Sequence, residues 1–331
     1  DGPGGKRTRA NFLFSSPDLA NWEYLHPFIE NDRYSMVGDD GACPYFWPIG
    51  DKHILIHYSH TNGGKYLLGD YETDRDKFVV TEGGDFNFGP FGPAGVHAPS
   101  ATPDGNGGVI VIFNMNPAKP TKGWNQIMTL PRRLTLRPDD TLNNLNIEPA
   151  GSIESLRYDH HQVKDLKLPA NEEVVLKNIH GNAMELVAKI DPGKASSIDL
   201  NVLRSPNREE VTRIQFLPER GYRHREWGRQ DKRARNYNSV ISIDSSYSST
   251  SPDVLARLPE TAQVYLEPDE LVDLRVFIDR SVVEVFVNGK QCVAVRVYPD
   301  RDDSTGVSLR AQGNDARLIS LDAWQMKNIY Q

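Results

Sequence analysis

Two adjacent carboxylates lead into the most unusual stretch of the sequence. Asp39 and Asp40 are followed closely by Cys43 and by aromatic residues that include Trp47. Carboxylates can transfer protons to and from a substrate, and an aromatic ring packs well on the apolar face of a sugar. The pattern indicates a carbohydrate site that contains these four residues. The alternative from spacing alone is a plain turn at 39–41, with Trp47 in the core.

Histidines are concentrated in the same half of the chain. His57 and His60 lie at or beside the end of a predicted strand, without the helical spacing or the cysteine cluster of a zinc site. We therefore expect no metal site and no cofactor, and we take His60 as a substrate-binding candidate. His97 precedes an Ala-Pro pair in the way that Ala42 precedes a Cys-Pro pair. His97 is thus a candidate for ligand contact and, since histidine titrates near neutral pH, for proton transfer.

The charge of the chain argues against two classes of partner. With 38 basic and 45 acidic residues the net charge is -7, which disfavours nucleic acid and anionic membranes as partners. The basic cluster at 220–235 is interpreted as a solvated hairpin loop. No apolar run approaches the roughly 18 residues of a membrane span, and two distant cysteines build no disulfide framework. The glycine pairs 63–64, 83–84 and 107–108 lack the context of a phosphate loop and are predicted to be turns.

The elements that must position these residues are predicted to be strands. Short β-branched and aromatic runs, bounded by turn residues, indicate an all-β fold class. The prolines at 44 and 99, and the strands predicted to begin at 53 and 108, are separated by the same 55 residues. Such a repeat, with about four short strands, is typical of a propeller blade. A meandering sandwich with chance spacing is the alternative.

Residues 1–158 are too few to close a propeller ring, so we expect them to form only its later blades. An open blade edge would expose unpaired backbone groups. We therefore expect another polypeptide, a second copy of the chain or further blades to complete the ring. From about residue 159 the strands alternate apolar and polar residues, and an Asn-Gly turn at 288–289 joins two of them. This pattern predicts a β-sandwich over residues 159–331, with little helix anywhere.

A series of motifs runs in order through nearly the whole chain. They are residues 16–23, 43–44, 96–99, 123–124, 129–136, 277–289, 296–299 and 321–326. Together they resemble glycoside hydrolase family 32, the invertase, levanase and inulinase family. The resemblance implies the later blades of a five-bladed propeller followed by a C-terminal β-sandwich, with a retaining furanosidase site in the propeller channel. It further implies a fructofuranoside or related oligosaccharide as substrate, and a secreted or periplasmic location.

The sequence departs from the chemistry that this resemblance implies. Retaining glycosidases use one carboxylate as nucleophile and a second as acid and then base. The family carries the acid in a Glu-Cys-Pro motif, which here is Ala42-Cys43-Pro44. Its nucleophile motif and its Arg-Asp-Pro motif are absent, and we expect the chain to begin after both. Asp40 and His97 are therefore the catalytic candidates. We expect weak or no hydrolysis of sucrose, inulin and levan; the alternative is a non-catalytic carbohydrate-binding relative.

Overall fold

The structure, a computed structural model, describes residues 11–35, 39–60, 62–87, 95–137, 145–219, 239–255, 257–267 and 269–329. Within these ranges nearly all regular structure is β-strand, and the single helical element is a 3-10 turn, Ile153–Leu156. None of the described residues belongs to a helix of the length and hydrophobicity that a membrane crossing requires. The predicted all-β class is confirmed. The basic cluster at 220–235 lies outside the described residues.

The N-terminal part contains a hairpin and a first blade. Strands β1 (Phe12–Ser15) and β2 (Glu23–Pro27) pair only with each other. The blade has the order β3-β7-β6-β5-β4, in which β3 is parallel to β7 and all other pairs are antiparallel. Its strands are β3 (Ile29–Glu30), β4 (Ala42–Ile49), β5 (Lys52–Ser59), β6 (Gly63–Glu72) and β7 (Lys77–Asp85).

A second blade follows with the same up-and-down order. Its first strand, β8 (Val96–Pro103), pairs with β9 (Val109–Met115). The other side of β9 is shared by β10 (Ile127–Met128) and β11 (Arg132–Leu136), and β12 (Leu145–Pro149) completes the sheet. The 55-residue repeat of the sequence is thus a repeat of blades. In the described residues these sheets do not close a ring.

Of the three glycine pairs that were predicted to be turns, 107–108 lies in the connection between β8 and β9, whereas 63–64 and 83–84 lie inside strands. Gly64 of β6 is opposite Tyr58 of β5, and Gly84 of β7 is opposite Tyr66 of β6. A Cβ atom added at Gly84 would lie 2.7 Å from the hydroxyl oxygen of Tyr66. At 83–84 the turn prediction was wrong because a side chain of the neighbouring strand crosses Gly84, and local sequence does not reveal that approach.

The C-terminal part is a sandwich of two six-stranded sheets. One sheet has the order β13-β24-β15-β20-β21-β22, and the other has the order β14-β23-β16-β17-β18-β19. The bounds of these strands are β13 (Arg157–Leu168), β14 (Glu173–His180), β15 (Ala183–Asp191), β16 (Ser197–Arg204), β17 (Thr212–Leu217), β18 (Ser239–Asp244), β19 (Glu260–Val264), β20 (Val272–Asp279), β21 (Val282–Val287), β22 (Gln291–Arg296), β23 (Gly306–Gln312) and β24 (Ala316–Met326).

Strand β21 shows how the blades and the sandwich share one interior. Its residues Val283, Val285 and Val287 point into the core between the two sandwich sheets. The alternate residues Val282 and Phe286 pack in a second core together with apolar side chains of both blades. Because side chains alternate across a strand, β21 is buried on both faces and reads as a nearly continuous apolar run.

Polar side chains also cross from blade to sandwich. The Asn87 amide donates to the carbonyl oxygen of Ala294 over 2.7 Å and accepts from the Ala294 N–H over 3.1 Å. The buried carboxylate of Glu260 accepts from the Gly95 N–H over 2.7 Å. These bonds fix the residues on either side of the connection between the two blades against the sandwich, and so they orient the start of β8.

Candidate functional site

The first strands of the two blades begin with the same distortion. In β4 the pairing with β5 shifts by one residue just after Ala42, and Cys43 has a φ of 49°. In β8 the pairing with β9 shifts just after His97, and Ala98 has a φ of 44°. Each is a β-bulge with a left-handed residue, followed by a proline that does not have to donate to the ladder. Ala42 and His97 therefore hold equivalent positions in successive blades.

Tyr58 connects these two positions. It lies opposite Ala42 in the ladder between β4 and β5, and its ring centroid is 5.6 Å from that of His97. The ring of His60 meets it edge to face at 4.9 Å. Burial, followed by the nearby charge of Asp40, raises the pKa of the Tyr58 hydroxyl. The hydroxyl consequently stays protonated at neutral pH and is available as a hydrogen-bond donor.

Asp40 and His60 form an accessible carboxylate–imidazole pair. One carboxylate oxygen of Asp40 accepts from the backbone N–H of His60 over 3.1 Å, and the other bonds to the ring Nδ1 of His60. The side chains are 46% and 70% exposed, respectively. A carboxylate in this position orients the imidazole, and both side chains are of a type that can exchange a proton with a bound molecule.

The neighbouring carboxylate has a different environment. Asp39 is buried and accepts from the side-chain amide of Asn62 over 2.5 Å. The buried ammonium of Lys65 lies 3.7 Å from Asp39 and also bonds to Asp85. Because a buried charge is tolerated only with such partners, Asp39 holds the segment before β4 in place, and of the two adjacent carboxylates Asp40 is the accessible one.

His97 is mostly buried at the equivalent position of the second blade. Burial lowers its pKa, although an interaction with the Gln126 side chain acts in the opposite direction. Its Nδ1 atom has no hydrogen-bond partner among the described residues. At neutral pH His97 is therefore mainly the uncharged imidazole, which is a weak acid but a competent hydrogen-bonding group for a sugar hydroxyl.

The structure brings together five of the six residues that the sequence singled out, and separates one. Asp39, Asp40, Cys43, His60 and His97 all lie at the start of β4 or β8, or on the turn that faces it. Trp47 is five residues along β4, roughly 16 Å away at the rise of a strand. Its indole N–H donates to the carbonyl oxygen of Ala101 over 3.1 Å, and its ring packs on the second core.

Two members of this group were not foreseen. Tyr58 carried no local signal, because its position opposite Ala42 follows from strand register. Lys65 follows a glycine pair that was taken for a turn, and its partners Asp39 and Asp85 are distant in sequence. In the part of the chain that the structure describes, no group of three His, Cys, Asp or Glu side chains could hold a metal ion.

Blade-type sheets packed on a two-layer sandwich make this chain a propeller–sandwich protein. Residues 3–149 match the glycosyl hydrolases family 32 N-terminal domain, and residues 152–325 match the glycosyl hydrolases family 32 C terminal. The chain therefore belongs to glycosyl hydrolases family 32, as the motifs predicted.

Individual relatives agree with this family. Fructan 1-exohydrolase w3 of Triticum aestivum is 26% identical over 385 residues, covering 96% of this chain and 60% of the relative. Levanase of Bacillus subtilis (strain 168) is 30% identical over 217 residues, or 64% of this chain and 29% of the levanase. The solved structure of fructan 1-exohydrolase IIa from Cichorium intybus superposes with a TM-score of 0.77 at 19% identity, covering 96% of this chain and 67% of that one. The chain thus spans about 60% of the length of the fructan exohydrolases it matches.

Proposed function

We propose that the start of strands β4 and β8 binds a fructofuranoside or a related oligosaccharide, and that the Asp40–His60 pair transfers protons in a slow hydrolysis. The observation that carries this proposal is the convergence of Asp40, His60, Tyr58 and His97 on two neighbouring blades of a family 32 chain. Fructan exohydrolases and a levanase among the relatives support the substrate class. A related structure was solved in complex with 1-kestose, which supports it further.

The roles follow from the environments of the side chains. His60, oriented by Asp40, donates a proton to the leaving oxygen and later takes one from the attacking water. His97, whose pKa is lowered by burial, is a poor acid and instead hydrogen-bonds sugar hydroxyls together with the Tyr58 hydroxyl. The carboxylate that attacks the anomeric carbon in a retaining mechanism belongs to a motif that this sequence does not contain. The proposal therefore assigns the acid–base step and sugar binding to residues of this sequence, and it assigns no nucleophile.

Ala42 favours a second candidate function, carbohydrate binding without hydrolysis. It occupies the position before the bulge where the family resemblance places a glutamic acid, and a methyl group cannot transfer a proton. A well positioned general acid typically contributes a factor of about 10²–10⁴ in rate. If no other group replaces it, hydrolysis falls by that factor while the site still binds sugar.

The test measures binding and product release separately on the protein. Calorimetric titration with 1-kestose reports binding, and chromatography reports fructose released from sucrose, 1-kestose, inulin and levan. We expect binding with slow release. Asp40→Asn should lower kcat by about 10²-fold or more, whereas Glu72→Gln, at the far end of the first blade, should leave it unchanged. Ala42→Glu should raise kcat by a similar factor, because position 42 lies opposite Tyr58.

The possible results separate the two functions. Release that depends on Asp40 supports the hydrolase, and binding without release supports the non-catalytic alternative. Release that persists in the Asp40→Asn and His60→Gln variants shows that another group is the acid. Absence of binding to all four saccharides refutes both functions.

A further inference from the structure

The sandwich holds the strand that carries His97 through one buried carboxylate. Glu260, the first residue of β19, is 5% exposed and accepts from the N–H of Gly95 over 2.7 Å. Gly95 immediately precedes β8 and has a φ of 73°, a conformation that favours glycine. The side-chain amide of Asn87, which pairs with the backbone of Ala294, donates to the other oxygen of this carboxylate over 3.4 Å. Because His97 is two residues after Gly95, Glu260 fixes the backbone from which the His97 side chain starts.

A second route runs from the sandwich to the side chain of His97. The guanidinium of Arg257 donates to the carbonyl oxygen of Pro117 over 2.6 Å. The preceding residue, Asn116, accepts through its side-chain oxygen from the Gln126 amide over 3.2 Å. The Gln126 side chain in turn interacts with His97. The loop between β9 and β10 therefore meets the imidazole from a position that Arg257 holds.

Two further bonds fix the point of the loop that Arg257 holds. The Ala118 N–H donates to the hydroxyl of Tyr298 over 3.2 Å, and the Ala118 carbonyl oxygen accepts from the Leu255 N–H over 2.6 Å. Tyr298 and Leu255, like Arg257, belong to the sandwich. The position of His97 therefore depends on the sandwich twice, through the backbone before it and through the loop that meets its side chain.

We propose that Glu260 is a positioning residue for sugar binding, which fixes His97 from the sandwich together with Arg257. The proposal rests on the proposed function, in which His97 hydrogen-bonds a sugar hydroxyl. Hydrogen bonds weaken steeply when donor and acceptor are misaligned. A small displacement of the start of β8 therefore lowers the affinity, although the buried Glu260 carboxylate does not touch the sugar. A glutamate of the C-terminal domain thus contributes to affinity at a site that is built from the blades.

The first test compares dissociation constants for 1-kestose by calorimetric titration. Glu260→Ala should weaken binding about tenfold, which is about 1.4 kcal/mol. Glu260→Gln retains an oxygen that can accept from Gly95, so it should lose less than Glu260→Ala. Glu185→Ala is the matched control, because Glu185 is a fully buried glutamate whose ion-pair partners, Arg157 and Arg275, belong to the sandwich as well. It should lower the thermal midpoint and leave 1-kestose binding unchanged.

NMR of the imidazole groups gives a second readout, which needs no sugar. The His97 signal is identified by its loss in His97→Gln. The Tyr58 ring at 5.6 Å affects the chemical shift of His97, and burial lowers its pKa. In Glu260→Ala the signal should move, and the pKa should rise towards the ordinary value of about 6.5 as water reaches the ring. Arg257→Gln should shift the signal in the same way, and it supplies the measurement if Glu260→Ala does not fold.

The outcomes separate positioning from general destabilisation. The proposal is overturned if the His97 signal and pKa in folded Glu260→Ala, or in Arg257→Gln when the alanine variant does not fold, are those of the wild type. It is also overturned if Glu185→Ala weakens 1-kestose binding as much as Glu260→Ala does. If the wild type does not bind 1-kestose but Glu260→Ala still shifts the His97 signal, the proposed function fails, and Glu260 positions His97 for something other than sugar.

Discussion

A buried ion pair between a blade and the sandwich can be tested directly. Arg132 of β11 and Glu284 of β21 are almost completely buried, and Nη2 of Arg132 lies 3.2 Å from a carboxylate oxygen of Glu284. The other carboxylate oxygen accepts from the Leu130 N–H over 2.6 Å. Among the described residues, Glu284 is the one carboxylate that forms an ion pair with Arg132. The Nε and Nη1 atoms of Arg132 have no hydrogen-bond partner among those residues. Glu284→Gln removes the charge and retains an acceptor for Leu130.

The expected loss follows from this geometry. At an effective dielectric constant of about 20, two unit charges 3.2 Å apart attract each other by about 5 kcal/mol. Removing one partner of a buried pair typically costs about 3–5 kcal/mol, because the other charge stays buried without compensation. We therefore expect Glu284→Gln to lower the free energy of unfolding by about 3 kcal/mol or more. At roughly 2–4 °C per kcal/mol, Tm should fall by at least about 6 °C.

The assay is thermal and guanidinium-induced unfolding of four proteins. These are the wild type, Glu284→Gln, the double variant Arg132→Met with Glu284→Gln, and Glu72→Gln as a control. The control breaks an exposed pair with Arg75 and should cost less than about 1 kcal/mol. The double variant should recover much of the loss, since it leaves no buried charge. The reasoning is refuted if Glu284→Gln costs no more than the control, or if the double variant is no more stable than the single one.

Two further predictions concern titration and reactivity. Burial lowers the pKa of His97 in the folded protein. The stability that the uncharged imidazole contributes is therefore present above its unfolded-state pKa of about 6.5, and it is lost as the pH falls through the lower folded-state pKa. Wild-type stability should therefore decrease more steeply below pH 6.5 than that of His97→Gln in pH-dependent denaturation; parallel curves would contradict this. Burial also raises the pKa of the Cys292 thiol, while Cys43 is exposed. A thiol reagent should thus modify Cys43 in the native protein, and it should modify Cys292 only after the protein is unfolded. Peptide mass mapping would show which cysteine has reacted.

Much of the architecture could be predicted because it depends on local patterns. The 55-residue repeat reflects blades built from strands of similar length, and the alternation after residue 159 reflects strands with a core face. The correspondence between Ala42 and His97 was also accessible, because an x-Pro pair occurs at the same point of each repeat. The structure shows why it occurs there: both pairs build a bulge with a left-handed residue.

The roles of individual side chains were less accessible. Asp39 and Asp40 are adjacent and chemically identical, but one is buried against Lys65 and the other is exposed beside His60. Trp47 looked like the sugar platform because it is close to the carboxylates in sequence. In a strand, however, five residues are a separation of roughly 16 Å, and Trp47 fills the space between blades.

The sequence alone therefore determined the all-β class, the two kinds of sheet and the family, whereas the replacement of a family glutamate by Ala42 stays a prediction. These properties are carried by residue types and spacing along the chain. Only the tertiary structure decided which carboxylate is accessible, that Tyr58 lies between Ala42 and His97, and that Glu260 of the sandwich holds Gly95. Register, burial and domain contact join residues that are far apart in the chain, as Asn87 and Ala294 are at a separation of 207 positions, and no local pattern encodes such contacts.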